Sequence, residues 1–291
     1  MKTVKAAIEA GGTKWIVAVG DDTGKILEEI KIPTTGPSEL MPKVIEALHV
    51  LKKSHGVFGS LGIGTFGPIG LNPDSSSYGT YFNTPKEGWS NFNIIRPLRK
   101  ALGSSIEIFL DTDVNTAVLA EYKIGIGQGH QNVCYLTVGT GIGGGVIVDG
   151  KVLKGRMHPE MGHITVHTSP LEKNTNFSAC PFHQNCVEGR ASGTAMAARW
   201  GKDHTKIPEE AWILEADYLA QIAQSLTAAY SPDIIILGGG VMKYKPLLSL
   251  IQEKFVDAAG DYWELPPVTE YIQVTSLHDR AGLSGALLLG T

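Results

Sequence analysis

Apolar runs that break at glycines constrain this chain more than any other feature. Residues 4–8 reach Glu9-Ala10-Gly11-Gly12-Thr13-Lys14, residues 15–19 resume a strand pattern, and Asp21-Asp22-Thr23-Gly24-Lys25 turns into residues 26–32. The order recurs later. Residues 133–138 reach a glycine-rich stretch from Gly139 to Gly145, residues 146–148 resume, and Asp149-Gly150-Lys151 turns into Val152-Leu153. Strand, glycine turn holding a threonine, strand, turn, strand is thus predicted twice. Two such meanders point to a duplicated α/β unit whose halves face each other across a cleft. Helical patterns lie between them: residues 39–53 set Leu40, Val44, Leu48 and Leu51 on one face, and residues 218–230 form a second amphipathic run.

Turns built from glycine leave backbone N–H groups uncovered, and the positive φ that glycine tolerates lets successive N–H groups converge on one anion, phosphate being the natural one. Taken singly, Gly11-Gly12 and residues 139–145 also fit plain hairpin turns. A third cluster, Gly238-Gly239-Gly240, ends the apolar run 232–237 ahead of a helical pattern over 243–259, an order that suits nucleotide contact as well as a tight strand-to-helix connection. Gly62-x-Gly64-x-x-Gly67 and Gly139-x-Gly141-x-x-Gly144 match the dinucleotide fingerprint but fail its context. Pro68 and a polar loop follow the first and a strand pattern follows the second, where the fingerprint requires a helix.

Residues 105–110 read as a strand ending in Asp111-Thr112-Asp113-Val114-Asn115, with helix-compatible residues 116–124 beyond. Asp113 therefore falls at the carboxyl end of a strand, where open α/β sheets bind ligands and where an aspartate can accept a proton from a substrate hydroxyl. Capping the next helix is its alternative role.

One further stretch carries chemistry. Glu160, His163, Cys180, His183, Cys186 and Glu188 fall within a polar segment rich in Pro, Asn and Ser that lacks apolar periodicity. Two imidazoles and two thiolates suffice to close a tetrahedral Zn²⁺ site, and a site closed by protein has no open position for catalysis. A Cys180–Cys186 disulfide is the competing use. The third of the three cysteines, Cys134, lies in an apolar run and reads as a buried thiol. The two glutamates beside the metal set read as working groups.

Composition limits partners. The net charge is −4, from 25 basic and 29 acidic residues with no Lys/Arg cluster, so the electrostatic footprint of a nucleic-acid binder is missing. No apolar run reaches membrane-spanning length, and the N-terminus resembles neither a signal nor a transit peptide, so a cytoplasmic protein is expected.

Together these motifs resemble the ROK family of sugar kinases over essentially the whole chain. Glu9-Ala-Gly-Gly-Thr-Lys14 is similar to that family's first phosphate segment, Val138-Gly-Thr-Gly-Ile-Gly-Gly-Gly145 to its second, and Ile236-Leu-Gly-Gly-Gly-Val241 to its adenosine segment. Glu160-Met-Gly-His163 resembles its Glu-x-Gly-His element, and residues 180–188 its zinc loop followed by a sugar-binding glutamate. The fructokinase branch is the nearest match, because glucokinase-type members carry Asp where Glu9 stands and Asn where Thr112 stands. The zinc loop is one residue shorter than the commoner form, with His183 replacing a cysteine.

The resemblance implies an actin-like, hexokinase-type ATPase fold of duplicated ribonuclease H-like lobes: residues 1–115, with a C-terminal helix over 280–291 packing back on them, and residues 116–279, carrying the zinc loop 160–188. It implies ATP-dependent transfer to the C6 hydroxyl of fructose or a related hexose such as mannose, glucose or an N-acetylated hexosamine. Asp113 would be the general base. Gly67, Pro68, Asn83, Asp113, Glu160, His163 and Glu188 would bind sugar, and Gly11, Gly12, Thr13, Lys14, Thr140, Gly141, Gly238, Gly239 and Gly240 would bind ATP. Zn²⁺ would rest on His163, Cys180, His183 and Cys186, Mg²⁺ would arrive with ATP and meet Glu9 through water, and a homodimer is implied. A sugar-responsive regulator and a zinc hydrolase are the readings from other classes; the first needs an added DNA-binding module and the second an open zinc position.

Overall fold

A computed structural model describes residues 4–84 and 86–291. Residues 1–3, in the expected first lobe, and Pro85, in the segment that follows Asn83, lie outside the described residues. The chain divides into two compact units: residues 4–124 with 154–158 and 280–291, and residues 125–153 with 159–279.

In the first unit, strands β1 (Val4–Ala10), β2 (Lys14–Gly20), β3 (Ile26–Pro33), β4 (Phe58–Thr65) and β5 (Glu107–Thr112) form one sheet in the order β3-β2-β1-β4-β5. β1 to β3 are an antiparallel meander, while β1, β4 and β5 run parallel. Side chains alternate across the sheet. Ala6, Ile8 and Ala10 of β1 and Trp15, Val17 and Val19 of β2 join the core shared with α1 (Pro37–His55), whereas Ala7, Ile16 and Ala18 face Leu283, Ala286 and Leu287 of the C-terminal helix (Ala281–Leu288). Both faces being covered, β1 and β2 read as nearly unbroken apolar runs. Leu283 and Leu287 are fully buried there, each contributing on the order of 2 kcal/mol.

Two more helices complete this unit, α2 (Ile95–Leu102) and α3 (Asp113–Ile124). α3 packs along the C-terminal helix. That contact is why the first unit extends through Ile124 rather than stopping at 115.

The second unit repeats the plan. Its strands β6 (Val133–Val138), β7 (Ile142–Val148), β8 (Lys151–Val152), β9 (Ile234–Gly238) and β10 (Ile272–Val274) stand in the order β10-β9-β6-β7-β8. β6 to β8 form the antiparallel meander and β6, β9 and β10 run parallel, so each strand has its counterpart in the first sheet. Helices α4 (Val187–Ala191), α5 (Gly193–Trp200), α6 (Glu209–Tyr230), α7 (Pro246–Ala259) and α8 (Val268–Tyr271) complete it.

Three expectations shift in detail. β7 starts at Ile142, not Val146, because Gly143, Gly144 and Gly145 pair with Thr137, Leu136 and Tyr135 of β6, and Met161 packs where a side chain on Gly144 would otherwise stand. α6 begins nine residues before Tyr218, since Ala211, Trp212 and Leu214 continue its buried face. The helix expected from residue 243 is a 3-10 turn, Val241–Lys243, followed by α7 with proline at its start. Two sheets of one strand order, each a three-strand meander extended by two parallel strands, constitute the duplicated ribonuclease H-like architecture of actin-like, hexokinase-type ATPases. Among the described residues no helix is long and apolar enough to cross a membrane.

Candidate active site

The register of the first sheet sets Ala10, Thr65 and Thr112 side by side, so the segments leaving β1, β4 and β5 emerge at one end of it. The segment after β1 is a tight turn. Gly11 N–H donates to Lys14 O at 3.1 Å, and Thr34 secures the turn with its hydroxyl on Gly11 O (2.9 Å) and its N–H on Thr13 O (3.0 Å). The N–H groups of Gly12 and Thr13 carry no hydrogen bond among the described residues, which leaves two backbone donors for a ligand. Glu9, at the end of β1, packs its carboxylate against Gly282. It offers oxygen donors of the kind Mg²⁺ takes.

After β5, Thr112 rather than Asp113 caps α3: Thr112 Oγ1 accepts the Asn115 N–H at 3.1 Å. Asp111 is buried and engaged, its Oδ1 accepting from Asn115 Nδ2 (2.6 Å) and Thr112 N–H (2.9 Å) and its Oδ2 facing Lys154 at 3.4 Å. Asp113 uses one oxygen for the adjacent Val114 N–H (2.9 Å), and its second has no hydrogen-bond partner among the described residues. Burial pushes the Asp113 carboxyl up to about 6, opposed by the Val114 and Asp113 N–H groups and by the charge of Lys86. A carboxylate poised near neutrality and freed from capping is suited to take a proton. Thr112→Val, which keeps the side-chain shape and removes the hydroxyl, should cost about 1 kcal/mol in chemical denaturation while leaving catalytic turnover nearly intact.

Beyond β4, Gly67 and Pro68 are joined by a cis peptide bond and stay partly exposed. Phe82 N–H donates to Pro68 O at 2.9 Å, which draws the loop bearing the exposed Asn83 to this segment.

In the second unit, the turn after β6 is held from two sides. Gly193 N–H and the Thr194 hydroxyl, at the start of α5, donate to Gly139 O (2.7 Å) and Thr140 O (2.7 Å), and Glu188 Oε2 accepts the Ile142 N–H at 2.9 Å. A Cβ at Gly141 would stand 2.5 Å from the same Glu188 oxygen, so a larger residue there would push that carboxylate aside. The N–H groups of Thr140 and Gly141 make no hydrogen bond among the described residues. β6 and β9 are parallel neighbours, so Gly238, Gly239 and Gly240 lie at the same sheet end, with Gly239 at φ +92 backed onto the Val138 carbonyl.

His163, Cys180, His183 and Cys186 converge, their ligand atoms all lying within 4.8 Å of one another. Cys180 Sγ stands 3.9 Å from His163 Nδ1 and 3.8 Å from His183 Nδ1. Sulfur and nitrogen donors around a tetrahedral zinc stand roughly 3.6 Å apart, so the set fits the ion with little movement. All three cysteines are free, which removes the disulfide alternative. Burial holds the His163 imidazole low and pushes the Cys186 thiol up to about 11. The Cys186 Sγ also accepts the Gly189 N–H at the start of α4, two residues from Glu188. Glu160 is exposed, just ahead of the 3-10 turn Met161–His163.

Three side chains had no sequence signal. Thr34 and Thr194 pin the two glycine turns from distant segments. Lys86 reaches Gly12, and its charge is felt at Asp113, from a loop whose sequence draws attention to Asn83. A cavity of about 440 Å³ bordered by Leu171, Phe177, Trp200, Ile213 and Leu214 contains none of the expected site residues.

Fold and site together define a two-unit ATPase-type α/β protein with a strand-end carboxylate, a glycine turn in each unit and a four-donor His/Cys cluster. The sequence profile of the ROK family matches residues 5–291, and the chain belongs to that family. It is 41% identical over 285 residues to a fructokinase of Pediococcus pentosaceus, covering 97% of this chain and 96% of the relative. A fructokinase of Zymomonas mobilis is 39% identical over 293 residues, covering 99% of this chain and 96% of that one. A ROK family glucokinase from Streptomyces griseus, solved in complex with glucose and AMPPNP, superposes with a TM-score of 0.77 at 25% identity, over 98% of each chain.

Proposed function

We propose that this protein transfers the γ-phosphoryl group of ATP to the C6 hydroxyl of fructose. The observation that carries the reading is Asp113, a partly accessible carboxylate at the carboxyl end of β5, relieved of capping by Thr112 and raised toward neutrality by burial. Fructose is chosen on the strength of the two fructokinase relatives at 41% and 39% identity.

Asp113 orients the sugar hydroxyl and accepts its proton as the phosphoryl group leaves ATP in line. The Gly12 and Thr13 N–H groups of the first unit and the Thr140 and Gly141 N–H groups of the second hold phosphate oxygens, with Gly11 and Lys14 shaping the first turn. Gly238, Gly239 and Gly240 keep the end of β9 bare for adenosine. Gly67, Pro68 and Asn83 in one unit, and Glu160, His163 and Glu188 in the other, bind the sugar. His163 faces the metal cluster through Nδ1, which leaves Nε2 for a sugar hydroxyl. Mg²⁺ arriving with ATP would neutralise phosphate charge, and Glu9 is the residue that would meet it. His163, Cys180, His183 and Cys186 would hold Zn²⁺ in a structural role, because four protein donors would leave it no open position. We also infer a cytoplasmic homodimer, a reading that rests on the family resemblance; sedimentation tests the dimer.

A coupled ADP-release assay over fructose, mannose, glucose and N-acetylated hexosamines tests the reading. Fructose is expected to give the highest kcat/KM, and the absence of sugar-dependent ADP release would remove it.

A further inference from the structure

Lys86 is held in place by its own segment. Its N–H donates to Thr84 Oγ1 at 3.4 Å, its carbonyl accepts the Trp89 N–H at 3.1 Å, and Thr84 is tied to Ser90. Trp89 anchors the whole. It is buried among Trp15, Phe66, Tyr81 and Phe92, with ring centroids 5.0 to 5.7 Å away, and its indole N–H donates to Thr35 O at 3.1 Å.

From that anchor the Lys86 side chain runs back to the first glycine turn. A Cβ on Gly12 would lie 2.8 Å from Lys86 Nζ and 3.4 Å from Cε, so the ammonium occupies the space that the missing side chain leaves. Lys86 is only half-exposed, yet no carboxylate stands within ion-pair distance of it among the described residues. Its charge is felt at Asp113, the group to which Tyr81 also lies near. A cation fixed without a counter-ion beside bare backbone donors is arranged for an anion that arrives with substrate.

We propose that Lys86 is a further catalytic residue, whose ammonium binds the phosphoryl group in transit from the nucleotide held at Gly12 and Thr13 to the hydroxyl held at Asp113. The proposal rests on the kinase reading above. Lys86 forms and breaks no covalent bond: the O–P bond to the leaving ADP breaks, the bond from the sugar oxygen forms, Asp113 takes the proton, and Lys86 donates hydrogen bonds to the phosphoryl oxygens throughout. Because charge on those oxygens redistributes most in the transition state, the contribution should appear in kcat rather than in sugar affinity. The same ammonium works against the upward pull of burial on the Asp113 carboxyl, as the least of the groups that do so.

Lys86→Met, which preserves length and apolar stem, tests this, with Lys86→Arg as the charge-retaining partner and wild type and Asp113→Asn run beside them. The expected result is a fall in kcat of about 100-fold or more in Lys86→Met, with KM for fructose within about threefold of wild type. Lys86→Arg should recover at least about tenfold of that loss, and the thermal midpoints of the two Lys86 variants should be close to wild type. A Lys86→Met enzyme that keeps wild-type kcat, or that loses only fructose affinity, overturns the proposal. Failure of the kinase reading itself looks different, because wild type would then show no sugar-dependent ADP release at all.

Discussion

Asp113→Asn will have lost turnover by about three to four orders of magnitude, with fructose binding by calorimetry little changed. The substitution keeps the side-chain shape and its hydrogen bond to Val114, and removes only the ability to hold a proton. It carries a second signature. Asp113 titrates at about 6 in the folded protein against 3.8 for the unperturbed group, so folding favours its protonated form. The stability this contributes is fully present below pH 4 and is lost as pH rises through 6. At pH 8 wild type therefore bears a desolvated charge that asparagine lacks, and the variant is expected to be more stable by about 2 kcal/mol there and level with wild type near pH 3. In wild type, kcat/KM should fall on the acid side with a midpoint near the same value of about 6. An inactive variant that is also destabilised at pH 8 would assign Asp113 a structural role instead.

The second large effect concerns the metal. Cys186 joins three features: it is a donor of the metal set, it caps α4 through the Gly189 N–H, and it stands two residues from Glu188, which holds the Ile142 N–H of the second glycine turn. Cys186→Ala is expected to lose zinc in elemental analysis and to raise KM for fructose at least about tenfold, roughly 1.4 kcal/mol. ATP affinity should weaken later and less, since Gly193 and Thr194 still brace that turn. Loss of zinc with unchanged fructose affinity would reduce the ion to a fold staple.

Much of the fold was legible because burial writes itself into sequence. The two meanders showed as apolar runs broken at Gly11-Gly12 and at Gly139, and covering of both sheet faces is what kept those runs unbroken. Where backbone spacing was set by a distant side chain, the reading slipped. Gly143 to Gly145 looked like turn residues, yet they are strand residues, and Gly144 among them makes way for Met161. The start of α6 was missed because Pro208 and two glutamates precede its buried face, and periodicity registers only once that face is under way.

In the site, residues with distinctive chemistry were found and supporting ones were not. Two histidines and two cysteines announce a metal set at any separation, and they do converge. Asp113 was ambiguous between base and cap until Thr112 proved to be the cap, a distinction that depends on which oxygen faces the Asn115 N–H. Thr34, Thr194 and Lys86 are common residue types whose importance lies only in what they reach across the fold.

The central claim is that Asp113 activates the C6 hydroxyl of fructose toward ATP. It is tested most directly by running the reaction on ¹³C-labelled fructose with ATP and Mg²⁺ and reading the product by ³¹P and ¹³C NMR. Phosphorus coupled to C6, formed by wild type and absent with Asp113→Asn, is the predicted result. Phosphate on C1, or equal product from the Asp113→Asn enzyme, would contradict it.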